Sequence, residues 1–346
     1  YQVIKAGDEH LKFVFLTGVS QFSGLSIFSG LNNLENITMS EEFSSICGYT
    51  QEEFENNFKE HIEKAATANE MSEKEILSKI KYYYNGYSWD GKISVYNPFS
   101  ALLFLKQKKF NRYWFASGTP TFLIEQIKKK DNLESFVQKQ AVMEDVLSGF
   151  AVEEIETTAL LFQTGYLTIK KEEETMRGSL YTLDFPNFEV KDAFLTSLIK
   201  VYTNKTIQAV YNLNDKLYEA LIGKDAEKLT DSLTELYASI PYNLHITKEA
   251  YYHSLFLVTC RLAGFDVEAE VHTNKGRIDV VLKKDNIVII VEIKYGEDKS
   301  IEVLLQEAIS QIKDKKYYEK YIGNEVILLA LTFGRNKEIG CKFKNL

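Results

Sequence analysis

The stretch from 276 to 294, GRIDVVLKKDNIVIIVEIK, leaves the chain few choices. Two runs of Val, Ile and Leu flank Asp285-Asn286, a turn-forming pair, so the segment predicts a β-hairpin. Apolar runs this continuous fit a buried hairpin. Asp279, Glu292 and Lys294 interrupt them. With the turn centred on Asp285-Asn286, Lys284 faces Ile287, Val280 faces Val291 and Asp279 faces Glu292. Directly opposite residues share a face, with Cβ atoms roughly 4.5–5.5 Å apart. Lys294, two residues beyond Glu292, points the same way. The register therefore gathers two carboxylates and an ammonium into one cluster.

Two carboxylates this close repel, and burying either one unpaired is costly. A shared proton, salt bridges to Lys294 or Arg277, or a bound divalent cation would each relieve the pair. All-oxygen ligands without Cys or paired His favour Mg²⁺ or Mn²⁺ over zinc. Such an ion activates water and stabilises charge on a phosphate oxygen. The same spacing also describes a cross-strand ion-pair network without catalysis, and the residues alone leave both readings open.

The flanks of the hairpin complete a fold. Thr247 is placed to cap a helix running to about Ala263, with Gly264 as its stop. The strand DVEAEVHT follows, then the hairpin. Next comes an amphipathic helix, IEVLLQEAISQIKDKKYYEKY, apolar at 301, 304, 305, 308, 309 and 312. The strand EVILLALTF ends an α-β-β-β-α-β order, which predicts a mixed sheet flanked by helices. The net charge of −8 argues against a general nucleic-acid binder, but it is unevenly spread. Residues 248–346 carry 16 Lys/Arg against 15 Asp/Glu, which permits a local basic face.

The remaining residues read as two further regions. Over 1–130, one strand (FVFLTG, 13–18) and a Gly/Ser/Asn-rich stretch precede a mainly helical part, broken by the aromatic segment KYYYNGYSWDGKISVYNP. Its aromatic residues either stack on bases or, as the favoured reading, pack a helix end. Over 131–240, the helix-like EEIETTALLFQTG, the strand-like YLTIKKEE and SLYTLDF, and a helix from about Glu189 outline a winged-helix-like unit. That last helix has few basic residues, so packing is its expected role. The third region spans 241–346. No 18-residue apolar window and no secretion-signal pattern occurs, so a cytoplasmic protein without a membrane partner is expected. Cys47, Cys260 and Cys341 are far apart and read as reduced, mostly buried thiols. The start lacks Met, and the chain reads as a piece of a longer protein.

G-R-I-D, twelve residues, then E-I-K resembles the D-x(n)-(D/E)-x-K core of the PD-(D/E)XK nuclease superfamily. More widely, LTGVSQFSG, FSGLNNLENIT, CGYTQEEF, YYYNGYSW, VYNPFSALLFL, YWFASGTPTFLI and LLFQTGYLTI resemble segments of a bacterial family of unknown role. In that family an AAA-ATPase-like module precedes a nuclease-like domain. The resemblance implies a restriction-endonuclease-like α/β domain at the C-terminus, a mostly helical ATPase-like remnant over 1–130, and an α/β and α multi-domain protein overall. It implies Asp279 and Glu292 as metal ligands and Lys294 as the catalytic lysine. Glu249, Glu270, Gln311 and Arg277 are accessory candidates. Bland alternatives stand beside them: a helix-dipole partner for Glu249, a solvated strand face for Glu270, a surface polar residue for Gln311. Arg277 and the lysines at 313, 315 and 316 are candidates for phosphate contact.

The implied activity is Mg²⁺- or Mn²⁺-dependent cleavage of nucleic acid. The alternatives are a binding or regulatory protein on a nuclease-like fold, or a nucleotide-driven switch. No G-x-x-x-x-G-K-[ST] phosphate loop occurs, so ATP binding by these residues is not expected. The resemblance makes Thr17 or Ser20 a sensor-like residue after the core strand. It places a basic residue where Gln21 stands, which puts nucleotide sensing in doubt.

Overall fold

A computed structural model of the chain describes residues 7–19, 35–117, 123, 124, 127, 139–147, 156–239, 249–273, 276–296, 298–334 and 338–346. The chain divides into two compact units, 1–127 with 139–194, and 128–138 with 195–346. No helix among the described residues is long and apolar enough to cross a membrane.

In the first unit, helices α1 (Gln51–Ala68), α2 (Glu73–Tyr84) and α3 (Pro98–Gln107) form where the sequence supplies caps. Thr50 with Glu53, and Ser72 with Glu75, are reciprocal capping boxes; Asn97 caps α3 with Pro98 at its first turn. Their apolar faces bury Phe54, Ile62, Ile76, Ile80, Tyr84 and Phe104 in one core. Beyond them come strand β1 (Gln140–Met143), the short α4 (Glu144–Leu147) and α5 (Thr157–Gln163). A hairpin of β2 (Thr168–Thr175) and β3 (Gly178–Asp184) follows, then α6 (Phe188–Thr203). The sheet order is β1-β3-β2, all antiparallel. The division between the units falls within α6, whose Val190, Phe194, Leu198 and Ile199 are buried, so this helix is a packing element.

The strand expected over 13–18 is not formed. Phe13 and Phe15 stack at 6.5 Å and stay largely exposed, and no described strand pairs with the segment. Extended backbone becomes a strand only where a ladder satisfies its amides and carbonyls. Thr17 lies in this unpaired segment, whereas Ser20 and Gln21 fall outside the described residues.

The second unit begins with an antiparallel pair, α7 (Ile207–Gly223) and α8 (Ala226–Ala238), followed by α9 (Glu249–Leu262). Thr247 lies outside the described residues. Then come β4 (Asp266–Thr273), β5 (Gly276–Lys284), β6 (Ile287–Tyr295), α10 (Ile301–Asp314), β7 (Glu325–Phe333) and β8 (Ile339–Asn345). The five strands lie in sequence order; β6 and β7 run parallel and the other neighbours antiparallel. β8 was not expected from the sequence. Residues Val288–Ile293 are all buried, so β6 is covered on both faces and its apolar run is explained. On one face Val281, Ile290, Leu328 and Ala330 meet Ala308, Ile309 and Ile312 of α10.

The single helix expected over 301–321 is also corrected. α10 stops at Asp314, and Lys316 turns the chain with φ +49°. A short 3₁₀ turn over Tyr317–Tyr321 then sends both tyrosines into the core, which a continued helix would not do. The three thiols differ as well: Cys260 is buried and Cys341 partly so, but Cys47 is exposed.

Candidate functional site

The β5–β6 hairpin turns at Asp285-Asn286, with Asp285 left-handed at φ +51°. Lys284 pairs with Ile287 and Val280 with Val291, the register its symmetric turn dictates. The ladder then ends. In place of a further backbone pair, the Asp279 carboxylate accepts the Ile293 N–H at 2.8 Å through Oδ2. This bond fixes the Asp279 carboxylate next to the segment that carries Glu292. It is a side-chain contact of a kind that strand periodicity does not predict.

Glu292 is 1% exposed and lies beside Ala330 of the parallel neighbour β7, with Lys294 beside Thr332. Lys294 Nζ donates to Glu292 Oε1 at 2.8 Å and to Gln311 Oε1 on α10 at 2.7 Å. Glu292 Oε2 is buried without a hydrogen-bond partner. Burial pushes the Glu292 carboxyl up to about 7, and the nearby Asp279 charge adds to the rise; Lys294 opposes both. The cluster thus holds a buried carboxylate oxygen without a hydrogen-bond partner beside a second carboxylate.

The accessory candidates separate. Gln311 joins the cluster through Lys294. Glu270 stands in β4 between the pairs Ala269–Val280 and Val271–Ile278, at the level of Asp279, with an uncommon φ of +52°. Its carboxylate pairs with Arg277 at 3.1 Å, both side chains half-exposed. Arg277 thus pairs with Glu270 directly, while its charge also lowers the Glu292 carboxyl's pKa from nearby. Glu249 opens α9, but its side chain lies outside the described residues. Lys313, Lys315 and Lys316 are exposed on the far end of α10 and the turn after it; Lys316 lies 3.7 Å from Glu319.

Tyr317 escaped the sequence reading. Its hydroxyl donates to the Arg277 carbonyl at 2.8 Å and stands where a Cβ on Gly276 would come within 2.9 Å. Gly276, at φ +146°, is the residue that lets this ring close over the start of β5. The signal was present in the GR…KKYY pair of segments, but only the chain reversal at Lys316 brings them together.

Among the described residues, no three or more His, Cys, Asp or Glu side chains converge as a metal cage. A two-carboxylate site nevertheless suits Mg²⁺, which keeps several waters and commonly binds through one or two carboxylates. The buried, unpartnered Glu292 Oε2 beside Asp279 fits that demand.

Residues 247–343 match the model of the PD-(D/E)XK nuclease superfamily. This segment is a PD-(D/E)XK nuclease superfamily domain. Its five-stranded mixed sheet is consistent with a restriction-endonuclease-like fold. Over a much longer stretch the chain is similar to an uncharacterized protein in the vnfD 5′ region of Azotobacter chroococcum mcd 1. The two are 35% identical over 343 residues, covering 97% of this chain and 63% of the relative. The chain spans less than two thirds of the length of that curated relative. The matched segment contains Asp279, Glu292 and Lys294.

Proposed function

We propose that the domain hydrolyses phosphodiester bonds in nucleic acid with Mg²⁺ or Mn²⁺. The observation that carries this reading is the buried Glu292 carboxylate, bonded to Lys294 through one oxygen and left open beside Asp279 through the other. Asp279 and Glu292 would hold the divalent cation, which supplies charge neutralisation at the phosphate and a water of lowered pKa. Asp279 is oriented for this by the Ile293 amide. Lys294 Nζ, held by Gln311, orients the attacking water and offsets the negative charge that develops on the phosphate oxygens. Arg277 contacts a phosphate once Glu270 releases it. Coupling to an ATPase-like module, and a winged-helix-like unit within 131–240 with a packing or interaction role, belong to the same proposal. They rest on the resemblance of the segments quoted above and on the helix–hairpin–helix order.

A second reading, a nuclease-like fold that binds without cutting, is favoured by the sparse ligand set among the described residues. A cleavage assay on DNA and RNA with Mg²⁺ or Mn²⁺ separates the two. The hydrolytic reading expects cutting that Asp279→Ala or Lys294→Ala abolishes. Binding without cutting, equal in wild type and both variants, supports the second.

A further inference from the structure

The aromatic segment after α2 divides in the structure. Tyr84 and Tyr87 are buried, Tyr83 partly so, and Trp89 packs on Phe162 at 5.7 Å. Tyr82 does not follow them. It is 60% exposed and lies on Phe188, ring centroids 5.1 Å apart at 26°. This stacked pair borders a cleft of about 320 Å³ within the first unit, lined also by Lys81, Lys191, Asp184 and Asn187.

The cleft is built rather than incidental. Gly86 and Pro186 form its base at a distance only glycine allows, because a Cβ on Gly86 would lie 2.1 Å from the Pro186 carbonyl oxygen. Lys170 ties the two segments by donating to the Pro186 carbonyl at 2.9 Å and the Gly86 carbonyl at 3.3 Å. Asn187 is 8% exposed and its Oδ1 accepts the Val190 N–H at 3.1 Å. That cap fixes the amide and leaves Nδ2 buried with no hydrogen-bond partner.

An exposed aromatic ring beside two lysines matches the base and the phosphate of a nucleotide. We propose that this cleft binds a nucleotide of single-stranded nucleic acid, with the base on Tyr82 and its phosphate between Lys81 and Lys191. Stacking on an exposed ring tolerates any base, so recognition here is of the single strand and not of its sequence. Asp184 repels phosphate and so orients the base, rather than the backbone, toward its side of the cleft. The cleft belongs to the first unit and Asp279 to the second, and the cleft serves to hold strand, not to cut it.

The test is fluorescence anisotropy of the full chain with labelled 20-nucleotide dT and rU oligomers in EDTA, where no metal-dependent cutting occurs. Wild type binds. Tyr82→Ala weakens binding about 5- to 100-fold and Tyr82→Phe leaves it unchanged. Lys81→Glu with Lys191→Glu weakens it and flattens its salt dependence. Melting curves of each variant confirm folding, and the lysine pair decides the matter if Tyr82→Ala does not fold. The proposal is overturned if wild type binds neither oligomer, if Tyr82→Ala and the lysine pair bind like wild type, or if a labelled poly-glutamate peptide binds equally well. Binding that depends on Tyr82 without any cutting by wild type overturns the hydrolytic reading and keeps this one.

Discussion

Glu189 in the first unit and Glu292 in the second are a natural pair for comparison. They are 0% and 1% exposed, each with its carboxyl raised to about 7 and one oxygen lacking a hydrogen-bond partner. Their surroundings differ. Glu189 accepts the Trp114 N–H at 2.8 Å near the phenols of Tyr84, Tyr87 and Tyr113. Glu292 faces a second carboxylate and shares an ammonium with Gln311. Burial alone lifts a carboxyl's pKa, so a shifted acid does not by itself mark a reaction centre. A second acid and a lysine on the same few oxygens are what support the proposal at Glu292. Glu189 has neither and reads as a structural acid.

The largest expected effect separates the two in a cleavage assay. Asp279→Ala and Lys294→Ala each lower cutting by about 10²–10³-fold or more, whereas Glu189→Gln leaves it near wild type. A matching loss in Glu189→Gln at full folding would break the contrast.

Stability should show their likeness instead. A carboxyl whose pKa rises on folding leaves stability intact below its ordinary value of 4.5 and loses it as pH climbs through about 7. At roughly 1.4 kcal/mol per unit, the loss is about 3 kcal/mol at each site. In EDTA, Glu189→Gln and Glu292→Gln should therefore melt above wild type at pH 8 and level with it at pH 4. Adding Mg²⁺ at pH 8 should raise the melting temperature of wild type and Glu189→Gln but not of Glu292→Gln. An equal Mg²⁺ response in all three would remove the distinction.

Smaller effects sharpen the second site. Gln311→Ala deprives Lys294 of one of its two acceptors and should slow cutting about 10-fold with unchanged melting. Ser300, whose hydroxyl accepts the Val303 N–H, caps the helix that carries Gln311. Ser300→Ala should cost about 1 kcal/mol by urea denaturation and leave the cutting rate of the folded protein unaltered.

Much of the second site was legible in the sequence because a two-residue turn and a period of two fix a hairpin's register. Val280 opposite Val291 follows from Asp285-Asn286 alone. The opening of the ladder at Asp279 was not legible, since a side chain there takes over a backbone acceptor's role. Glu270 read as an accessory candidate or a residue of a solvated strand face; its left-handed φ and its pairing with Arg277 have no sequence signature. β8 was missed because IGCKFKN alternates apolar residues with lysines, as an edge strand does, and has no long apolar run. The opposite error was made at FVFLTG, where apolar character was present but no partner strand is found among the described residues. Glu189 marks only the start of a helix in the sequence; the packing of α6 reveals that it is buried.

The claim that Asp279 and Glu292 hold a divalent cation is tested most directly by crystals soaked in Mn²⁺ and measured at the manganese absorption edge. An anomalous peak within coordination distance of both carboxylates, lost in Asp279→Ala, is the predicted result. Saturating soaks that leave no peak between the two carboxylates would contradict it.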